Sequence, residues 1–328
     1  MLWPGLAGFL VLLAAQPPLV FPTSAEIVYV VVSVTDGSGQ PVRGLKAGDF
    51  TVGEDGGLRP TASLASFADV AGEGVTEWPV DFVLLLDTSE SMQEDLHRAR
   101  DAAVEFAGSI PHLRGRYVVS FNSRIGVWPY QDVGPAAVLD QILGKNEVGG
   151  TRLFDAVLGS IPLVTSDPTR RSVIVALTDG EDTGGKERFS GRLRFLAGLD
   201  AYERLEMMQS HPVARIATEL QKESVTFYAI SFAKHLDGTG ESDHIRAAHG
   251  RETLEALAKS TGGLVVESAA AGPSRQFARI RDDIAAQYVL GFVPAPSATG
   301  KVHKLKVEVA LKGAKVRHRL AYETKPPR

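Results

Sequence analysis

The sequence of 328 residues contains no cysteine. That excludes a disulfide framework, a thiolate metal site and a cysteine nucleophile. Its eight histidines include no pair at metal-ligand spacing, since His244 and His249 do not fall on one helical face, and they are read mostly as ordinary surface groups. No P-loop and no Gly-x-Ser-x-Gly elbow occurs. Charge of one sign is not in excess: with 23% charged residues and a net charge of -4, nothing global calls for nucleic acid. Residues 301–328 are locally uneven, with nine Lys or Arg against two Glu. A solvated sheet face is the plain reading of that stretch, and an anionic envelope polymer is the sharper alternative partner. Apolar runs of membrane-spanning length are also lacking: residues 6–15 have the length of a signal-peptide core. Residues 1–25 are therefore expected to be a signal peptide, with small residues for cleavage at Thr23, Ser24 and Ala25 or earlier at Ala14 and Ala15. The expected location is periplasmic or extracellular. The first five residues carry no Lys or Arg, the usual start of such a segment, so a retained membrane anchor stays open as the alternative.

What the chain does have is the stretch VDFVLLLDTSESM at residues 80–92. Residues 82–86 are an unbroken apolar run of strand length, as in a parallel strand buried on both faces. The run stops at Asp87, and Ser89 and Ser91 follow at alternate positions before a helical pattern begins. A carboxylate and two hydroxyls are thus set at the carboxyl end of a central strand, where open α/β sheets bind ligands. Oxygen-only donors suit a hard cation such as Mg²⁺, with Mn²⁺ or Ca²⁺ as alternatives. A turn with a helix cap would use the same residue types.

The Asp-x-Ser-x-Ser spelling resembles the first segment of the metal-ion-dependent adhesion site of von Willebrand factor type A domains. Residues 149–156, GGTRLFDA, look like the second metal loop of that family, with Thr151 at its ligand position. Residues 172–182, SVIVALTDGED, read as another buried strand ending in an Asp-Gly turn, and Asp179 matches the third loop. The resemblance implies a complete site: Ser89, Ser91 and Thr151 bind the cation through hydroxyls, and Asp87 and Asp179 bind it directly or through water. It also implies a coordination position left for an acidic group of a partner protein. Residues 34–56 and the segment QYVLGFVP at residues 287–294 more loosely resemble the flanks of exported bacterial proteins of this type, the acidobacterial ones in particular.

In chain order, residues 27–35, 50–52 and 62–67 read as short strands, and residues 68–79 as a connector. Leu96, Ala99, Ala103, Phe106, Ala107 and Ile110 recur at helical spacing up to Pro111. Strands are expected at 117–121, 172–178, 225–232 and 264–267, an edge hairpin at 126–130, and helices at 153–163 and 274–286. Leu193, Leu196, Leu199 and Tyr202 near helical spacing suggest a further surface helix within 184–212. Strand and helix alternation predicts a doubly wound, mostly parallel α/β domain over 79–287. Residues 288–292, 303–312 and 316–322 are half-buried strands, expected to join the amino-terminal ones (26–70) as a small β-sandwich whose carboxyl-terminal part is 288–328.

No catalytic residue is assigned. An Asp87 nucleophile of the haloacid dehalogenase kind needs a second acid two residues on, where Ser89 stands, so a metal-dependent phosphotransferase or hydrolase ranks last. A structural envelope scaffold is the alternative to a binding module. Glu181 and Asp182 read as helix-capping groups. Arg188, Arg192 and Arg194 lie in the long connection after Asp179 and are expected to contact the partner.

Overall fold

The computed structural model describes residues 27–66, 78–110, 112–145, 149–165, 170–183, 212–232, 241–268 and 273–324. The candidate signal segment, Arg188, Arg192, Arg194, the suggested helix within 184–212 and most of the connector 68–79 lie outside the described residues.

Six strands form the central sheet: β5 (Val80–Asp87), β6 (Leu113–Phe121), β7 (Ile125–Pro129), β8 (Arg171–Thr178), β9 (Val225–Ser231) and β10 (Val265–Glu267), in the spatial order β10-β9-β8-β5-β6-β7. All neighbours are parallel except β7, which pairs antiparallel with β6 at the edge. Pro129 is tolerated there because one side of β7 has no neighbour to bond. The apolar run of β5 is continuous because its side chains alternate between two cores. Phe82, Leu84 and Leu86 face α1 (Gln93–Ser109), α2 (Gly134–Leu143) and the helix Ser274–Ala285. Val83 and Leu85 face α3 (Leu153–Val164), α4 (Pro212–Lys222) and α5 (Glu241–Thr261). The helix Ser274–Ala285 is α6. The architecture is α/β, doubly wound around a mostly parallel sheet.

The strands from the two ends of the chain form a separate β unit with its own core. One sheet has the order β13-β1-β11-β4 and the other β14-β12-β2-β3. The strands are β1 (Val28–Thr35), β2 (Phe50–Glu54), β3 (Gly57–Arg59), β4 (Thr61–Ser66), β11 (Tyr288–Phe292), β12 (Val302–Val309), β13 (Lys315–His318) and β14 (Ala321–Glu323). Val30, Val32 and Val34 of β1, Phe50 and Val52 of β2, Leu290 of β11 and Leu305 and Val307 of β12 fill the space between the sheets.

The structure departs from the sequence expectation at the last strand. Residues 316–322 are two strands in two sheets: β13 pairs with β1, and β14 pairs with β12. The break falls at Arg319, whose guanidinium turns inward to the carbonyls of Gln221 and Tyr29 and the hydroxyl of Ser224. Following that side chain, the chain leaves one sheet and enters the other, as at the corners of orthogonal packings. The strand count rises to four from each end: at the carboxyl end through this split, and at the amino end because the Asp55-Gly56 turn makes an extra hairpin (β2–β3) that is too short to read from alternation.

Two of the nine basic residues near the carboxyl end, Arg317 and Arg319, bind the α/β unit instead of facing solvent. Arg317 reaches the carbonyl of Gly263 at 2.9 Å and pairs with the buried Asp283 of α6. Asp283 also accepts from Tyr228 of β9 at 2.8 Å and from Ser33 of β1 at 3.2 Å. The contact is close enough that a Cβ on Gly262, itself at φ +83°, would lie 2.6 Å from the backbone of His318. His303 and His318 are both buried, exceptions to the surface role read for most of the histidines.

Candidate metal centre

β5 and β8 are the two middle strands of the sheet, and both end at the same edge. Their register places Leu86 beside Leu177, so the next residues, Asp87 and Thr178, are neighbours, and Thr178 Oγ1 donates to Asp87 Oδ2 at 2.6 Å. The other carboxylate oxygen, Oδ1, accepts from the Ser89 amide at 3.0 Å. The chain then turns into a short 3-10 helix, Glu90–Met92, which Ser89 precedes without its hydroxyl capping it. That hydroxyl faces the next: Ser89 Oγ and Ser91 Oγ are 3.1 Å apart, and Ser91 Oγ donates to Asp179 Oδ2 at 2.7 Å. Asp87, Ser89, Ser91 and Asp179 thus form one continuous polar cluster. Glu90, between the serines, is exposed.

Thr151 comes to the same end from the loop before α3. Its amide donates to Thr183 Oγ1 at 2.7 Å, and its carbonyl accepts from the Thr183 amide at 2.9 Å. The 178–183 loop is therefore fastened to the 149–151 loop by Thr183 and to α3 by Asp182, whose carboxylate caps the amide of Phe154 at 2.8 Å. On its other side, Gly180 at φ +86° lies against Gly250 of α5, and a Cβ on Gly180 would come within 2.5 Å of the Gly250 carbonyl. Thr178, Thr183 and Gly250 are positioning residues that sequence reading did not single out. The signal for Thr178 was available, because a hydroxyl one residue before a strand-terminal Asp sits beside the neighbouring strand end. Gly250 had none, because its partner is distant in sequence.

The electrostatics of the cluster are unbalanced. Asp87 is fully buried, and burial, followed by the negative charge of Asp179, pushes its carboxyl from an ordinary 3.8 up to about 7; the hydrogen bonds from Thr178 and Ser89 oppose the rise. Among the described residues, no Lys, Arg or His forms a salt bridge with either Asp87 or Asp179. Nor do the described residues contain any group of three or more His, Cys, Asp or Glu that could hold a metal. A cation here would have two carboxylates and hydroxyl oxygens, which is a donor set for a hard ion.

A second polar relay lies in the β unit. Asp55 Oδ2 and His303 Nδ1 are 2.9 Å apart, and His303 Nε2 and Ser297 Oγ are 2.9 Å apart. The order carboxylate, imidazole, hydroxyl is that of a nucleophile relay, but the imidazole is 1% exposed and stacked on Tyr322, and Asp55 is also held by the Lys304 amide. These bonds lace the β2–β3 turn to β12, which is a structural role.

No helix among the described residues is long and apolar enough to cross a membrane. No curated protein matches the sequence. Among solved structures, the chain is similar to an aerotolerance-related membrane protein from Bacteroides fragilis (14% identity, TM-score 0.44, covering 62% of this chain and 98% of that one). It is also similar to a von Willebrand factor type A protein from Catenulispora acidiphila (12% identity, TM-score 0.41, 93% and 76%) and to proximal thread matrix protein 1 of the mussel byssus, described with a zinc-occupied MIDAS motif (16% identity, TM-score 0.42, 65% and 47%). These likenesses are too distant to carry a function across. Residues 82–181, the segment that brings Asp87 and Asp179 together on the two middle strands, match the model of the von Willebrand factor type A domain.

Proposed function

We propose that this protein is an exported, divalent-cation-dependent protein-binding module, in which Asp87, Ser89, Ser91, Thr151 and Asp179 hold Mg²⁺ and an acidic side chain of a partner completes the site. The observation that carries this reading is a buried carboxylate, Asp87, that faces a second one, Asp179, with no basic side chain among the described residues paired to either. Such a pair is stable when a proton or a cation sits between the two charges, and near neutral pH the cation competes well. When bound, the ion supplies a Lewis-acidic face for an incoming carboxylate. The chain's own residues do the rest. Thr178 and the Ser89 amide hold the Asp87 carboxylate in one orientation, Ser91 links the first loop to Asp179, and Thr183 keeps the Thr151 loop beside them. Two carboxylates only partly neutralise a divalent ion and do not crowd it with protein anions, so an external carboxylate still gains by approaching. Selectivity then belongs to the surface around the ion, where Arg188, Arg192 and Arg194 follow Asp179 in the chain. The test is thermal unfolding of the whole protein with Mg²⁺ or with a chelator. At a hundredfold excess over its dissociation constant the ion adds about 2.7 kcal/mol, or roughly 5 to 10 °C in Tm for a domain of this size. Absence of any Mg²⁺-dependent shift would remove the metal and with it the proposed mode of binding.

A further inference from the structure

His318 stands where the two units of the molecule meet. It pairs with Val32 in the β1–β13 ladder, so its ring points with Val32 into the space between the two sheets of the β unit, and it is 8% exposed. There it extends the ladder of the opposite sheet. β14 pairs with β12 only at residues 302–304, the Leu305 amide then donates to the Leu320 carbonyl at 2.9 Å, and the Val307 amide donates to His318 Nε2 at 3.0 Å. An amide can only donate, so Nε2 must offer a lone pair and the ring proton must lie on Nδ1, which donates to the Arg319 carbonyl at 2.7 Å. The Val307 bond therefore exists only while the ring is neutral. Residues 317–320 also seat the β unit on the α/β unit. Besides the bonds of Arg317 and Arg319, the Leu320 amide donates to the Ser260 carbonyl at 3.0 Å, and the His318 backbone lies against Gly262.

We propose that His318 is an acid-sensitive latch: as a neutral acceptor it keeps β12 and the 317–320 corner in place, and on protonation it loosens the seat of the β unit on the α/β unit. An imidazolium has no lone pair at Nε2, so it would set a second donor against the buried Val307 amide. Its charge would also find little relief. Arg319, next in the chain, is the charged group that acts on the ring, and it has the same sign. The acids of the surrounding elements are engaged elsewhere: Asp283 of α6 with Arg317, Glu323 of β14 with Lys222 of α4, and Glu308 of β12 with Lys306. Glu54 of β2 accepts from Tyr322 of β14, His303 of β12 bonds Asp55, and Glu223, just after α4, acts on Arg319. β1 carries no charged residue, and Lys259 of α5 is exposed. Among the described residues, no carboxylate forms a salt bridge with His318. Burial is the main cause that holds the imidazole below its ordinary 6.5; the bond to the Arg319 carbonyl opposes it, and the Arg319 charge works with it. The stability that His318 contributes is thus present above 6.5 and lost as pH falls through the depressed folded value.

The test follows backbone hydrogen exchange of the full chain by mass spectrometry from about pH 7.5 to about pH 5, corrected for the intrinsic rate at each pH. Protection of residues 302–320 should fall by up to about tenfold for each pH unit below 6.5, while β5 and β8 keep theirs. His318→Gln offers the Val307 amide a side-chain carbonyl but takes no proton, so its loss of protection should be several-fold smaller. Asp87 and Glu54, which also titrate on acidification, are common to both proteins and cancel in the comparison. An equal loss in the two proteins, or no loss in the natural one, would overturn the latch. If His318→Gln does not fold, the imidazole nitrogen resonances of the natural protein decide. A neutral ring protonated on Nδ1 and titrating below 6.5 is expected; a proton on Nε2, or titration at or above 6.5, would overturn the latch.

Discussion

Asp87 and Asp283 are both buried acids of the α/β unit, at 0% and 3% exposure, yet the chain treats them in opposite ways. Asp283, on α6 beneath the β unit, is met by the Arg317 guanidinium, the Tyr228 hydroxyl and the Ser33 hydroxyl, all supplied by the protein itself. Asp87, at the carboxyl end of β5, receives hydroxyl and amide donors but faces the like charge of Asp179. A buried carboxylate whose counter-charge comes from its own chain joins two parts of a fold. One left without a counter-charge among the described residues is stable when a proton or an ion from outside sits beside it. The contrast therefore separates a joint from a site without any appeal to relatives.

The largest expected effect breaks the joint. Asp283→Ala strips a mostly buried arginine of its partner, a change that typically costs about 3 to 5 kcal/mol. Urea unfolding should show that loss equally in Mg²⁺ and in chelator. Smaller and opposite in character is Asp87→Ala. In chelator this variant should be no less stable than the natural protein, because a repelled buried carboxylate has gone, but it should lose the roughly 2.7 kcal/mol that excess Mg²⁺ contributes. A loss of stability in chelator as large as that of Asp283→Ala would make Asp87 a structural acid.

Titration sharpens the same comparison. Because the folded-state pKa of Asp87 is raised, the folded protein holds its proton more tightly than the unfolded chain does. The stability this contributes is present below the ordinary 3.8 and is lost as pH rises through about 7. In chelator, Tm should therefore fall across that window, and Asp87→Asn should flatten the decline. Glu54 of β2 gives the opposite slope and the smallest effect. Burial works to raise it, but the Tyr322 hydroxyl, the Ala295 amide and Arg59 together outweigh burial and hold it below its ordinary 4.5. Its contribution is present above 4.5 and lost as pH falls through the depressed folded value, so the deficit of Glu54→Gln measured at neutral pH should shrink on acidification.

The residues of β5 announced the parallel sheet because both of its faces are buried, which turns an alternating pattern into a continuous apolar run ended by Asp87. Local order also brought Ser89 and Ser91 into view, since two hydroxyls two residues apart can meet at the start of one helix. What escaped was whatever depends on distant segments. The division of residues 315–323 between two sheets follows from where Arg319 is buried, and its acceptors at Gln221 and Tyr29 lie about a hundred or more residues away. The same holds for the contact of Gly180 with Gly250 and for the Thr183 bridge to Thr151. α2 has no counterpart among the helices read from the sequence; its Gly134-Pro135 start is compatible with a helix, because proline at the first turn is well tolerated. Arg317 looked like surface charge because composition counts basic residues without saying which way they point.

Calorimetric titration of Mg²⁺ into the chelator-stripped protein and into Asp87→Ala tests the central claim most directly. The account predicts saturable binding of one ion by the natural protein and no such binding by the variant, with Asp283→Ala retaining it wherever that protein is folded. Binding of equal stoichiometry and affinity by Asp87→Ala, or no binding by the natural protein, would contradict it.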